Sequence, residues 1–100
     1  MTTPMHIARL AEAQRMGRRA GWTHRMVIND LDRPAQQWGA LLAALRLNPW
    51  AAGQYPQAEV TAQQAGEYAA QWERGFVLGD HEAVAQLRHR ATVRGTPHAA

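Results

Sequence analysis

Tyr68, Trp72 and Phe76 stand four residues apart in the stretch EYAAQWERGFVLGD, and no other feature restricts the fold of this chain as much. Aromatic residues at that spacing share one side of an α-helix. Fully burying one large apolar side chain contributes on the order of 1.5 to 3 kcal/mol. A chain of 100 residues buries only about two-thirds of its unfolded surface, so it has few such side chains to leave in water. The stripe is therefore expected inside, with the Tyr68 hydroxyl at a wet rim. The other strong stripe is Trp38, Leu41, Leu42 and Leu45, at i, i+3, i+4 and i+7, and it too is expected to face the core.

Start and stop signals place these stripes on separate helices. Thr3 followed by Pro4 opens a first helix, with a hydroxyl to cap and a proline whose missing N–H costs nothing at the first helical position. It is expected to run to about Gly21. Ile7 and Leu10 lead into Ala13, Gly17 and Gly21, small residues at four-residue spacing that admit another backbone closely, with Arg15, Arg18 and Arg19 turned to solvent. In THRMVINDLDRP, Met26, Val27 and Ile28 are adjacent and Asp30 and Asp32 alternate, which reads as a loop or short extended piece.

Asp32, ahead of Arg33 and Pro34, is expected to cap the second helix, which Asn48 and Pro49 stop because proline disfavours helical geometry in the residue before it. WAAGQYPQAEV, residues 50 to 60, is a partly anchored loop carrying Trp50 and Tyr55. Thr61 and Gln64 form a capping box with Val60 placed for a hydrophobic staple, opening a third helix through Leu78. Gly79 would end it and Asp80 would cap a fourth, with Ala83, Val84, Leu87 and Ala91 facing inward. The expected fold is all-α: a compact single-domain bundle of about four helices. One irregular loop joins helices 1 and 2 and another joins helices 2 and 3. The domain spans residues 1–95, followed by a loose tail at 96–100.

Composition removes several function classes. The chain contains no Ser, Lys or Cys, so Ser and Cys triads, Schiff-base lysines, P-loop lysines and thiolate metal sites are excluded. No apolar run reaches the 18 residues of a membrane span, and no signal peptide is evident; the chain reads as soluble and cytoplasmic. HEAVA at 81–85 starts like a zincin helix but has Ala85 where the second histidine belongs. His81 and His89 are eight apart, too far to share a metal. Asp30 and Asp32 as a catalytic carboxylate pair lack a recognisable companion acid, and a loop acid followed by a helix cap accounts for both. A helix-turn-helix reading of TAQQAGEY is a distant alternative, since the helical pattern continues through Gly66. No catalytic set, cofactor or metal is expected, and a non-enzymatic binding protein is.

The net charge of +3 is unevenly spread. Residues 1 to 25 carry five Arg against Glu12; residues 26 to 73 carry Asp30, Asp32, Glu59, Glu67 and Glu73 against Arg33 and Arg46; Arg74, Arg88, Arg90 and Arg94 make the remainder basic again. A dipolar chain suits a mixed partner better than bare duplex DNA. Every basic residue is arginine, whose planar fork holds carboxylate or phosphate in a bidentate way.

Ala13, Gly17, Ala20 and Gly21, then NPW at 48–50, then Trp72, Gly75 and Phe76 in QWERGF, follow the order of signatures in ribosome modulation factor and its small, often phage-borne relatives. The chain resembles that family over roughly its helical half. It departs from it by a whole extra helix within residues 22–47 and by a longer spacing from NPW to Trp72. The resemblance implies binding to a ribonucleoprotein, with Arg15, Arg18 and Arg19 the nearest match to the family's basic helix.

Two binder classes follow. In type, though by no matched motif, a small Cys-free single domain without catalytic equipment looks like phage-encoded inhibitors, anti-CRISPR proteins among them, which dock on a bacterial host's protein–nucleic acid machine and block its nucleic-acid binding. The other class is a ribosome-associated factor. Candidate contact residues are Asp30, Asp32 and Arg33 in the acidic loop, Arg15, Arg18 and Arg19 on the first helix, and Trp50 and Tyr55. Direct contact with nucleic acid is secondary in this reading, and neither a membrane nor a small-molecule substrate is expected.

Overall fold

The computed structural model describes residues 4–28, 36–51, 53 and 60–95. They form three helices, α1 (Pro4–Ile28), α2 (Gln36–Leu47) and α3 (Ala62–Gly95), and all regular structure among them is helical. The all-α expectation holds; among the described residues there are three helices, the expected third and fourth being one. The molecule is elongated, 62 × 26 × 18 Å, because α3 alone is 34 residues, about 51 Å at the helical rise.

α1 and α3 run parallel, side by side. Ascending α1, its partners on α3 ascend too: His6 meets Tyr68, Gly17 meets Trp72, Gly21 meets Phe76 and Arg25 meets Asp80. Two parallel helices in one chain need a return path between them, and α2 lies in that stretch of the sequence.

The small-residue seam explains how closely the pair packs. A Cβ added at Gly17 would collide with the Trp72 carbonyl oxygen, and one at Gly21 with that of Phe76. The relation is reciprocal, since Gly75 and Gly79 of α3 lie against the carbonyl oxygens of Gln14 and Arg18. Each helix thus presents a pair of glycines four apart to the other's backbone, the arrangement in which Cα–H groups approach carbonyl oxygens. Ala13 and Ala83, both fully buried, prolong the seam. Beside it lie the aromatics: Tyr68, Trp72 and Phe76 are all buried, with the Trp72 and Phe76 rings stacked at 5.2 Å. The stripe is core, as expected. The Tyr68 hydroxyl is not at a wet rim, however, for it shares a hydrogen bond of 3.0 Å with His6 Nδ1. His6 Nε2 in turn lies 2.6 Å from Glu67 Oε2, clasping the starts of α1 and α3 together.

Three expectations are corrected, two of them helix boundaries. α1 does not end near Gly21 but continues through Met26, Val27 and Ile28, so residues 23–28 are helix and not loop. The last turns are held by Arg25, buried, whose Nε and Nη2 donate to Asp80 Oδ1 and Oδ2 at 2.7 and 2.8 Å. The break expected at Gly79 and Asp80 is absent too, since α3 passes straight through both. Gly79 is there for close approach to Arg18, and Asp80 serves Arg25 instead of capping a fourth helix. Ala83 and Leu87 face inward as expected, while Ala91 is exposed.

The third correction concerns which face of α2 is buried. Leu41, Leu42 and Leu45 are 43, 54 and 52% exposed, whereas Ala40 and Ala44 are buried. The rotation is fixed at the helix end: fully buried Asn48 donates from Nδ2 to the Ala69 carbonyl (2.8 Å) and accepts at Oδ1 from the Trp50 N–H (3.2 Å). Positions 40, 44 and 48 succeed one another at i, i+4 and i+8, so turning Asn48 inward turns the alanines inward and the leucines out. Proline stops α2 where expected, and Gly53 takes a left-handed φ of 76° just beyond. The capping box is present: Gln64 N–H donates to Thr61 Oγ1 and Thr61 N–H to Gln64 Oε1, both at 3.1 Å, while Val60 packs on the core. The expected Asp32 cap and the tail at 96–100 lie outside the described residues.

Candidate binding surface

With Ala13, Gly17 and Gly21 turned to α3, helical geometry leaves Arg15, Arg18, Arg19 and Trp22 on the outer side of α1 at i, i+3, i+4 and i+7. They meet Glu82 of α3 in an open hollow of about 340 Å³. All three arginines are exposed and Trp22 is half-buried, so the hollow has an aromatic wall and a cationic rim.

Two of the three cations are neutralised from within the molecule. Arg15 donates from Nη2 and Nε to Glu12 Oε2 at 2.5 and 3.1 Å, and Arg18 Nη2 donates to Glu82 Oε2 at 2.5 Å. The hydrogen bond that Glu82 accepts, and then its charge, hold the Arg18 guanidinium above its usual pKa. Exposed pairs of this kind contribute little because solvent screens them, so an incoming phosphate or carboxylate exchanges with them at little cost. No ion pair engages Arg19 among the described residues, and it lies at the edge of both this hollow and a second, apolar one beyond it.

Of the residues expected at a site, the structure therefore gathers Arg15, Arg18 and Arg19. Asp30, Asp32, Arg33 and Tyr55 lie outside the described residues. Trp50 is a correction. Only 3% exposed, it stacks its ring edge toward Tyr68 at 5.8 Å and belongs to the core, drawn in by the turn that Asn48 and Pro49 make. Trp22 went unread as a site residue. It is three and four residues on from Arg19 and Arg18, and that spacing signals a shared face only if α1 is carried past Gly21.

Elsewhere, His81 and His89 are both exposed on α3, as expected of solvated helix histidines. The Glu67, His6 and Tyr68 chain resembles a proton relay, but Tyr68 is 1% exposed, so its oxygen meets His6 and not an incoming reactant. Among the described residues no helix is long and apolar enough to cross a membrane. Comparison of the chain with protein-family models, with curated proteins and with solved structures yields no match.

Proposed function

We propose that this chain is a non-enzymatic binding protein that docks on a protein–nucleic acid assembly of a bacterial host, in the cytoplasm, through the arginine face of α1. The observation that carries this reading is the convergence of Arg15, Arg18 and Arg19 around Trp22 on a face that the packing of α1 on α3 leaves open. Arginine forks pair with phosphate in a bidentate way. An adjacent indole offers an unpaired base or a partner side chain a flat apolar contact. The likeness of the glycine helix and of the NPW and QWERGF segments to ribosome modulation factor supports a ribonucleoprotein as the assembly. In an inhibitor of the anti-CRISPR type the main contact would instead be the acidic segment with Asp30 and Asp32.

Affinity capture from a bacterial lysate, with and without RNase, tests this. The wild-type protein should retain an RNase-sensitive complex. Replacing Arg15, Arg18 and Arg19 together by Ala should abolish retention and lower the log–log salt slope of binding by about 2 to 3. Asp30→Ala should leave both unchanged. Retention that survives RNase and the triple replacement but is lost on Asp30→Ala would remove the reading in favour of an acidic-loop inhibitor.

A further inference from the structure

The second hollow is larger, about 620 Å³, within the range of small-molecule sites. One wall is a continuous face of α1, Met16, Ala20 and Val27 at i, i+4 and i+11, about 16 Å from end to end. Leu47 and Pro49, where α2 stops, form the other, and Trp72 is the floor. Its polar lining is confined to Arg19, Thr23 and His24 of α1. No acid lines it among the described residues.

Among the described residues, neither Arg19 nor the Nδ1 of His24 has a partner. Arg19 has no ion pair among the described residues, unlike Arg15 and Arg18. The Nδ1 of His24 is shielded from solvent and makes no hydrogen bond, while the His24 ring lies 5.6 Å from that of Phe76. That nitrogen is too shielded for a ligand in the hollow to reach, so the His24 ring borders the trough without offering Nδ1 to it. The site thus has an apolar trough closed at one side by a guanidinium and an imidazole.

The geometry points to a binding site for an amphipathic monoanion, an apolar chain or ring system bearing a carboxylate. Its body would lie on Met16, Ala20, Val27, Leu47 and Trp72, and its carboxylate would be held by Arg19 with His24 beside it. Charge complementarity selects this occupant: a neutral apolar ligand would leave the guanidinium unused, and a cation would meet Arg19 at close range. The site shares Arg19 with the nucleoprotein reading but adds the trough, which that reading does not need.

The test is calorimetric titration of the full chain with decanoate, decanol and decylamine, each below its aggregation limit and at a pH where decanoate is ionised. Decanoate should bind one to one, about tenfold tighter than decanol, with decylamine weaker still. Arg19→Ala should bring decanoate and decanol to within about twofold. Two variants at exposed positions report on the trough without touching the seam. Thr23→Trp, which fills it, should abolish binding, and Leu47→Asp should reverse the preference toward decylamine. Thermal melting confirms that each is folded. No decanoate binding, equal binding of decanoate and decanol, or binding unaffected by Thr23→Trp would each overturn the proposal. So would sedimentation showing a dimer that Thr23→Trp makes monomeric, for then a second copy fills the trough. Retention on the host assembly, measured in the same Thr23→Trp variant, should persist, which separates failure here from failure of the docking reading.

Discussion

At residue 80 a short acid of the kind that commonly begins helices lies in the middle of one, and its carboxylate reaches across to Arg25 through two hydrogen bonds. Both side chains are almost wholly buried. Desolvating two charges offsets much of their attraction, so the pair adds little net stability, yet removing one partner leaves the other charged in a poor solvent. Asp80→Ala is expected to cost about 3 to 5 kcal/mol in urea unfolding. Replacing the pair together, Arg25→Met with Asp80→Leu, should recover most of that loss. If the single and double variants are equally destabilised, the pair's role is its shape and not its charge. The same residue explains a misreading of the sequence. A Gly followed by Asp is a sound signal for a helix end and a new cap, and only the position of Arg25 across the seam, 55 residues away, overrides it.

At the scale of the helix, the glycines fall into two physical classes that sequence spacing does not fully separate. Gly75 and Gly79 touch the α1 backbone, whereas nothing lies within 4 Å of a Cβ built at Gly66. In an open helix interior Gly→Ala stabilises by about 0.8 to 1 kcal/mol. Gly66→Ala should show that gain as a raised melting temperature. Gly75→Ala should instead destabilise by more than about 2 kcal/mol, because relieving the clash with the Gln14 carbonyl means separating the two helices. A stabilised Gly75→Ala would show that the pair packs less closely than described.

What was legible in the sequence follows the same division. Local chemistry was readable: the Thr61 and Gln64 box, the stop at Asn48 and Pro49, the aromatic stripe and the small-residue seam of α1 all appear as expected. Choices set by a partner were not. Leucine periodicity marked α2 as a helix but not which face it buries, since the inward turn of Asn48 decides that. The helical state of residues 23–28 depends on Arg25 finding Asp80. Of the candidate surface, the arginines could be read and Trp22 could not, because its place beside them follows from that same extension of α1.

For the whole molecule, the parallel pairing of α1 with α3 sets an order of stability. Long-range contact between helices more than thirty residues apart in sequence makes the glycine seam and its aromatics one cooperative unit. α2 leans on that unit through Ala40, Ala44 and Asn48 while presenting leucines to water, so it has less apolar burial with which to resist opening. α3 meanwhile outruns its partner. Arg25 of α1 is level with Asp80, and from Arg88 to Val93 every residue is exposed, a helix end with little buried surface to hold it. Native-state hydrogen exchange should therefore resolve three tiers. Amides around Gly17, Gly21, Trp72 and Phe76 should exchange only by global unfolding. Those of Leu41 to Leu47 should exchange through a lower-energy opening, and that of Val93 with protection near zero. The decisive comparison is denaturant dependence. Exchange in α2 should rise weakly with added urea, as partial opening exposes little surface, and the seam amides should follow the full slope of global unfolding. Identical slopes in α2 and the seam would show that α2 is integral to the cooperative unit, and the exposed leucines would then need to be covered by contacts made in solution.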